Sequence, residues 1–89
     1  MTHTTPDHLT AIRERLAELV AESSDGAIPA ARALAATTPL SDLGLSSLSR
    51  MRLVDAVEDE YDVEIDLDGA GWDLVDDLTA LATHLATPR

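Results

Sequence analysis

Few residues in this chain of 89 could take part in covalent chemistry. There is no cysteine, which excludes disulfides, thiolate zinc sites and a thiol nucleophile belonging to the protein itself. The three histidines, His3, His8 and His84, lie near the chain ends, and no two of them have metal-ligand spacing. What remains is a pair of adjacent hydroxyls, Ser46 and Ser47, where a helical pattern begins. Taken alone, a serine at such a position is most often a plain helix cap.

The two serines lie within a distinctive stretch of sequence. Residues 40–48 read LSDLGLSSL, and residues 53–65 read LVDAVEDEYDVEI. This pattern resembles the acyl carrier protein family, which has a Leu-Gly-x-Asp-Ser-Leu motif at the start of its second helix. In that family a Leu-Val, a Leu-Glu and an aromatic residue then follow at fixed intervals. The similarity needs no gap from Leu43 to Ile65 and continues more loosely through residues 72–75.

The resemblance implies that Ser47 accepts a 4′-phosphopantetheine arm from coenzyme A, whose thiol holds an acyl or aminoacyl group as a thioester. The physical chemistry agrees, because the N–H groups and dipole of a helix N-terminus favour an anionic phosphodiester. Gly44 allows the preceding loop to turn with positive φ or to approach closely. A cofactor that brings its own thiol also explains how a chain without cysteine could do thioester chemistry. The protein is therefore expected to be a non-catalytic carrier.

Ser46 departs from the family pattern, which has Asp immediately before the modified serine. Serine caps a helix about as well as Asp, so the fold should tolerate it. A negative charge that helps transferase recognition in the family is absent, and whether Ser46 alters or prevents modification stays open. The register selects Ser47 over Ser46 as the modified residue, because Leu48 must follow the attachment serine.

The second helix is also expected to contact partner enzymes. Beside a core stripe it has a second stripe that begins with Leu48 and Met51 and becomes acidic further along, which is typical of a docking rim. In the family the acidic second helix steers basic partner surfaces, and Arg52 reverses a charge that is often acidic there. The resemblance thus implies the recognition residues Ser46, Leu48, Met51, Arg52, Asp55, Glu58 and Asp59.

Charge narrows the range of partners. The formal net charge is −11, with six arginines and no lysine, which argues against nucleic acid and anionic membranes and favours partners with basic surfaces. We expect a phosphopantetheinyl transferase, together with enzymes that load and process the cargo. No apolar run reaches membrane-spanning length and no signal pattern is present, so a cytoplasmic monomer is expected. The acidity also fits a free-standing carrier that meets separate enzymes by diffusion.

The length allows one domain over residues 1–89, with residues 1–4 and 87–89 frayed. Apolar spacing predicts a helix from Thr5 to residues 23–26, and a second from Ser46 or Ser47 to about Asp62. A last helix is predicted with Asp73 as its cap. The predicted buried faces are Leu9, Ile12, Leu16, Leu19 and Val20; Leu53, Val54, Val57 and Tyr61; and Val75, Leu78, Leu81 and Leu85.

The fold class predicted from these elements is all-α. It is a small four-helix bundle with three main helices and one short one, the last but one, over residues 68–72. A long ordered loop separates the first two main helices, with a possible short helix in the Ala-rich run 30–36. Leu34, Leu40, Leu43 and Leu45 are expected to anchor this loop.

Several functions remain open at this point. An acyl cargo in polyketide, fatty-acid-like or other specialised metabolism is favoured, because peptidyl carriers typically place Gly-Gly before the serine region and here only Gly44 is present. A free-standing peptidyl carrier with an aminoacyl cargo is the alternative. Less favoured are an unmodified acidic interaction domain and a calcium-binding module at Asp66–Asp77, whose loop has Ala70 where a ligand belongs.

Overall fold

The computed structural model describes residues 5–66 and 71–86. Within these residues it contains five α-helices and no strand. The helices are α1 (Thr5–Ser23), α2 (Ala30–Ala35), α3 (Ser47–Tyr61), α4 (Gly71–Leu74) and α5 (Leu78–Ala86), with a 3₁₀ turn at Leu40–Leu43. The predicted all-α bundle is confirmed. The ends predicted to fray lie outside the described residues, as do the side chains of residues 5–7. Of the short helix predicted over residues 68–72, residues 68–70 lie outside the described part, and residues 71–72 begin α4.

The core is aliphatic and is organised around α1, which packs against α2, α3 and α5. The predicted stripes are confirmed, because each long helix turns its apolar face inward to remove that face from water. Leu9, Tyr61 and Leu85 lie at the edge of the core and are partly buried. The buried members of the predicted stripes are Ile12, Leu16, Leu19, Val20, Leu53, Val54, Val57, Val75, Leu78 and Leu81.

The loop between α1 and α3 is ordered, and the predicted short Ala-rich helix is α2. Asp25 and Gly26 adopt positive φ values of 55° and 82°, which ends α1. The hydroxyl of Ser24 accepts a hydrogen bond from the N–H of Ile28 at 3.1 Å. Further along the loop, Leu40 and Leu45 are buried in the core. The loop therefore approaches α3 along a defined path.

The predicted cap of the last helix is wrong. Asp73 lies inside α4, and Asp77 caps α5 instead. The Asp77 Oδ1 accepts hydrogen bonds from the N–H groups of Thr79 and Ala80 at 3.0 and 3.1 Å. Both aspartates precede apolar residues at helical spacing, so the pattern did not distinguish them. The two-residue turn between α4 and α5 decided in favour of Asp77.

An ion pair joins α1 to α3 on the surface. Arg15 donates from Nε and Nη2 to the two carboxylate oxygens of Glu60, both at 2.7 Å, and from Nη1 to Glu18 at 2.9 Å. The hydrogen bond from Arg15 lowers the pKa of Glu60, and the bonds to Glu60 and Glu18 raise the pKa of Arg15. Burial raises the pKa of the neighbouring Tyr61, and the charge of Glu60 adds to this effect. The pair adds a surface link between α1 and α3, whose apolar faces pack together in the core.

Candidate functional site

The segment that leads to the two serines is tied to the far end of the chain. The Asp76 carboxylate accepts from the N–H of Ser41 at 2.9 Å and from its hydroxyl at 2.8 Å. The backbone carbonyl of Asp76 also accepts from the N–H of Leu40 at 2.9 Å. These bonds hold the 3₁₀ turn against the junction of α4 and α5. Sequence reasoning missed Asp76, because its partner lies 35 residues away.

Gly44 reverses the chain just before α3. It has φ of 103°, a left-handed conformation that L-residues with a side chain rarely adopt. Its N–H donates to the carbonyl of Ser41 at 3.1 Å, and the N–H of Leu45 donates to the carbonyl of Leu40 at 3.3 Å. Leu45 then enters the core. Gly44 therefore makes the turn, and Leu45 anchors the chain directly before the serines.

The two serines have different surroundings. Ser46 is the N-cap of α3: its Oγ accepts from the N–H of Ser49 at 3.1 Å and lies 3.1 Å from the Ser49 hydroxyl. The Ser46 carbonyl accepts from the N–H of Arg50 at 2.9 Å. Ser47 is the first residue of α3 and is exposed. Both serines are exposed, but the hydroxyl of Ser46 is hydrogen-bonded at the helix start, whereas that of Ser47 forms no hydrogen bond with the described residues.

The start of α3 suits an anionic ester on Ser47. The first N–H groups of a helix have no acceptor inside it, and the positive end of the dipole lies there. The first turn contains no acidic residue that would repel a phosphodiester. An added Cβ at Gly44 would have no atom within 4 Å, so there is open space beside the loop. The residues present fit a 4′-phosphopantetheine arm attached at this point.

The predicted recognition residues all lie on or beside α3, but their surroundings differ. Leu48 and Met51 are 60% and 51% exposed, which is unusual for large apolar side chains. Asp55 and Asp59 are exposed as well. Together, Leu48, Met51, Asp55 and Asp59 form an apolar-to-acidic surface, called the α3 face below. The face has no other role in the described fold.

Two other predicted recognition residues make contacts within the protein. Arg52 donates from Nη1 to Asp25 at 3.3 Å, which joins α3 to the turn after α1. The Glu58 carboxylate accepts from the N–H of Ile65 at 2.8 Å and holds the segment after α3 against the helix. Glu58 is partly buried, while Arg52 and Asp25 remain exposed. Any role for Glu58 in recognition would have to coexist with this structural bond.

Arg50 and Trp72 form a contact that the sequence did not indicate. The guanidinium carbon of Arg50 lies 5.0 Å from the centre of the Trp72 ring, which is within cation–π distance. This contact joins α3, the helix that begins with Ser47, to α4. Both side chains are partly buried. The two residues lie far apart in the sequence, on different helices, so no local spacing pattern relates them.

For the calcium alternative, the described part of the chain contains no group of three or more His, Cys, Asp or Glu side chains that could hold a metal ion. Asp77 uses one carboxylate oxygen to cap α5. Asp68 and Ala70 of the proposed loop lie outside the described residues.

No helix in residues 5–66 and 71–86 is both long and apolar enough to span a bilayer.

Comparison with protein families gives a match that covers most of the chain. The model of the phosphopantetheine attachment site matches residues 10–85, which include both serines and all of α3. Comparisons with curated proteins and with solved structures found no match. The resemblance carried by Leu43–Ile65 is thereby confirmed at the level of the family. The chain belongs to the phosphopantetheine attachment-site family, whose domain holds the 4′-phosphopantetheine prosthetic group.

Proposed function

We propose that this protein is an acyl carrier whose 4′-phosphopantetheine arm is attached to the Oγ of Ser47. The observation that carries the proposal is the contrast between the two exposed serines: the Ser46 hydroxyl caps α3, and Ser47, the first residue of the helix, has a hydroxyl that is not hydrogen-bonded to any described residue. The arm supplies the thiol that this cysteine-free chain lacks. The protein supplies the attachment point and a surface for partner enzymes.

Each group at the start of α3 has a part in attachment. The Ser47 Oγ forms the new bond to phosphorus and loses its proton, and the adenosine 3′,5′-bisphosphate portion of coenzyme A leaves. The N–H groups of the first turn then lie beside the phosphodiester charge and stabilise it. Gly44 turns the chain just before α3, and the Asp76–Ser41 bonds hold the 3₁₀ turn that precedes it.

The attachment site is tested by intact-mass measurement after incubation with coenzyme A and a phosphopantetheinyl transferase. The wild-type protein should gain one phosphopantetheinyl group, and Ser47→Ala should gain none. Ser46→Ala is the matched control, since it removes the neighbouring hydroxyl and should still be modified. Loss of modification in Ser46→Ala with retention in Ser47→Ala would move the site to Ser46. No mass increase with several transferases, including one from the native host, would overturn the proposal.

Ser46 is also expected to affect how fast a transferase modifies the protein. Ser46→Asp restores the acidic residue that the family has at this position and keeps a good N-cap. We expect this variant to be modified faster than wild type by a transferase of broad specificity, while its melting temperature changes little. Initial rates of coenzyme A consumption measure the effect. An unchanged rate would mean that the missing charge does not limit recognition.

An acyl cargo is proposed because the loop has the single Gly44 rather than the Gly-Gly typical of peptidyl carriers. Mass spectrometry of the protein purified from its native host, under conditions that preserve the thioester, identifies the group on the arm. An acyl group on the arm supports the proposal. An aminoacyl group would instead assign the protein to the peptidyl carriers.

The α3 face is proposed as the docking surface for basic partner enzymes. Leu48 and Met51 provide apolar contact beside the attachment site, and Asp55 and Asp59 provide charge further along the helix. Arg52 lies among them and requires a partner with an acidic group opposite it, unless Asp25 satisfies its charge in the complex. This arrangement is tested with variants in which the charge of Asp55, Asp59 or Arg52 is reversed. Their acyl transfer rates are measured at several salt concentrations.

A further inference from the structure

Arg50 differs from the other arginines that the structure describes. Arg13, Arg15 and Arg52 each donate to an oxygen acceptor, and Arg32 is exposed to water. Arg50 is partly buried, and its Nε, like that of Arg13, is buried without a hydrogen-bond acceptor in residues 5–66 and 71–86. Arg13 still donates from Nη2 to the carbonyl of Leu34, whereas the guanidinium of Arg50 donates to no oxygen among these residues. No carboxylate among these residues forms an ion pair with Arg50, although the net charge of the protein is −11. The positive charge of Arg50 therefore has no anionic hydrogen-bond acceptor among the described residues.

The position of Arg50 relates it to the attachment serine. The two residues are three apart on α3, so they lie on the same face of the helix about one turn from each other. Side chains three residues apart on a helix are neighbours, so a group attached to Ser47 lies within the span of an arginine side chain at position 50. The guanidinium carbon lies 5.0 Å from the centre of the Trp72 ring, in a cation–π contact. Such a contact uses none of the guanidinium N–H groups as a hydrogen-bond donor, so the terminal N–H groups can still donate to an oxyanion.

We infer that Arg50 is an anion-binding residue of the carrier site, and that Trp72 positions it. Its ligand is an oxyanion that the arm presents: the phosphodiester next to Ser47, or a carboxylate on the cargo. Both have the planar or forked oxygen arrangement that a guanidinium binds through paired hydrogen bonds. The inference rests on the proposed function, because it requires the arm to be attached to Ser47.

Trp72 provides a direct readout, since it is the only tryptophan in the chain. Its indole N–H gives a single resonance in a proton–nitrogen correlation spectrum. We would record this resonance for the apo protein and for three loaded forms. These forms have the arm with a bare thiol, with a neutral saturated acyl group, and with an acyl group that ends in a free carboxylate. Binding of an anion by Arg50 changes the charge environment and the position of the guanidinium beside the Trp72 ring. It should therefore shift the indole N–H resonance.

The loaded form in which the shift first occurs identifies the ligand. A shift on attachment of the bare arm assigns the phosphodiester. A shift only with the carboxylate-bearing cargo, and not with the neutral one, assigns the carboxylate. In either case the shift should be lost in Arg50→Gln and retained in Arg52→Gln, the matched control two residues along α3. Arg50→Lys, which keeps the charge but not the forked donors, should show a reduced shift and provides a second variant if Arg50→Gln does not fold.

Two results would overturn the inference. One is an unchanged resonance in all three loaded forms of the wild type, and the other is a shift of equal size in Arg50→Gln. The intact mass of each sample distinguishes this failure from failure of the proposed function. If the arm is present on Ser47 and the resonance does not respond, only the role of Arg50 is rejected. If no arm attaches to Ser47, the proposed function is rejected and the role of Arg50 with it.

Discussion

Replacing Asp76 by alanine tests whether a side chain, rather than packing alone, holds the loop that leads to Ser47, the proposed attachment site. The Asp76 carboxylate accepts two hydrogen bonds from Ser41, at 2.9 Å from its N–H and 2.8 Å from its hydroxyl. Asp76→Ala removes both. It leaves the backbone bond from Leu40 to the Asp76 carbonyl, so the variant should still fold. The expected effect is a loosened 3₁₀ turn with the helices intact.

The size of the effect follows from these bonds. Hydrogen bonds to a charged acceptor contribute about 1.5–3 kcal/mol in general, but water competes for this pair because Ser41 is exposed. We therefore expect Asp76→Ala to lower the free energy of unfolding by about 1–2 kcal/mol, and Ser41→Ala by about 0.5–1 kcal/mol. A loss of 1 kcal/mol corresponds to roughly 4–8 °C in melting temperature for a domain of this size. The double variant should be little worse than Asp76→Ala alone, because the two residues share the same bonds.

Urea unfolding followed by circular dichroism measures these stabilities. Asp73→Ala is the matched control: it removes the same charge three residues earlier, in α4, and the Asp73 side chain forms no hydrogen bond with the residues that the structure describes. Asp76→Ala should also be modified more slowly by a transferase, since the loop beside Ser47 loses its tether, whereas Asp73→Ala should behave as wild type. Equal unfolding midpoints for Asp76→Ala and Asp73→Ala, or additive losses in the double variant with Ser41, would refute the reasoning.

Three further predictions concern the frame around the site. Gly71→Ala should lower the free energy of unfolding in urea by about 1–3 kcal/mol, because a Cβ there would overlap the backbone before α4. Gly26→Ala meets no atom within 4 Å and should lose only the cost of its φ of 82°, about 1 kcal/mol. A smaller loss in Gly71→Ala than in Gly26→Ala would contradict this. Met51→Ala should change the free energy of unfolding by less than about 0.5 kcal/mol while slowing acyl transfer, because the side chain is exposed. Leu53→Ala should lower the free energy of unfolding by about 2–5 kcal/mol, because its side chain is fully buried. A large stability loss in Met51→Ala would place that residue in the core. Since its ion pair lowers the pKa of Glu60, stability from this pair is present above the ordinary carboxyl pKa and is lost as pH falls through the lowered value. Glu60→Gln should therefore melt below wild type at neutral pH, with the difference shrinking in acid, and a constant difference would argue against this linkage.

Much of the fold could be predicted because it depends on local patterns. The apolar spacing of α1, α3 and α5 determined which faces are buried, since a helix of 3.6 residues per turn brings such side chains to one side. The N-cap at Ser46 and the helix end near Asp62 followed from residue type. The two aspartates near the last helix could not be distinguished in this way. Asp73 and Asp77 suit a cap equally, and only the turn between α4 and α5 decided between them.

The candidate site likewise has features that the sequence determines and features that only the tertiary structure determines. By itself the sequence determined the motif around Ser47, the missing thiol and the acidic character of α3, because residue order and composition contain them directly. The tertiary structure alone decided that Asp76 holds the loop from 35 residues away, that Glu58 is bonded to the segment after α3, and that Arg50 lies on Trp72. These contacts join elements distant in the chain, and their geometry depends on how the helices pack. No local spacing rule encodes that packing, so such contacts emerge only when the apolar faces have been buried together.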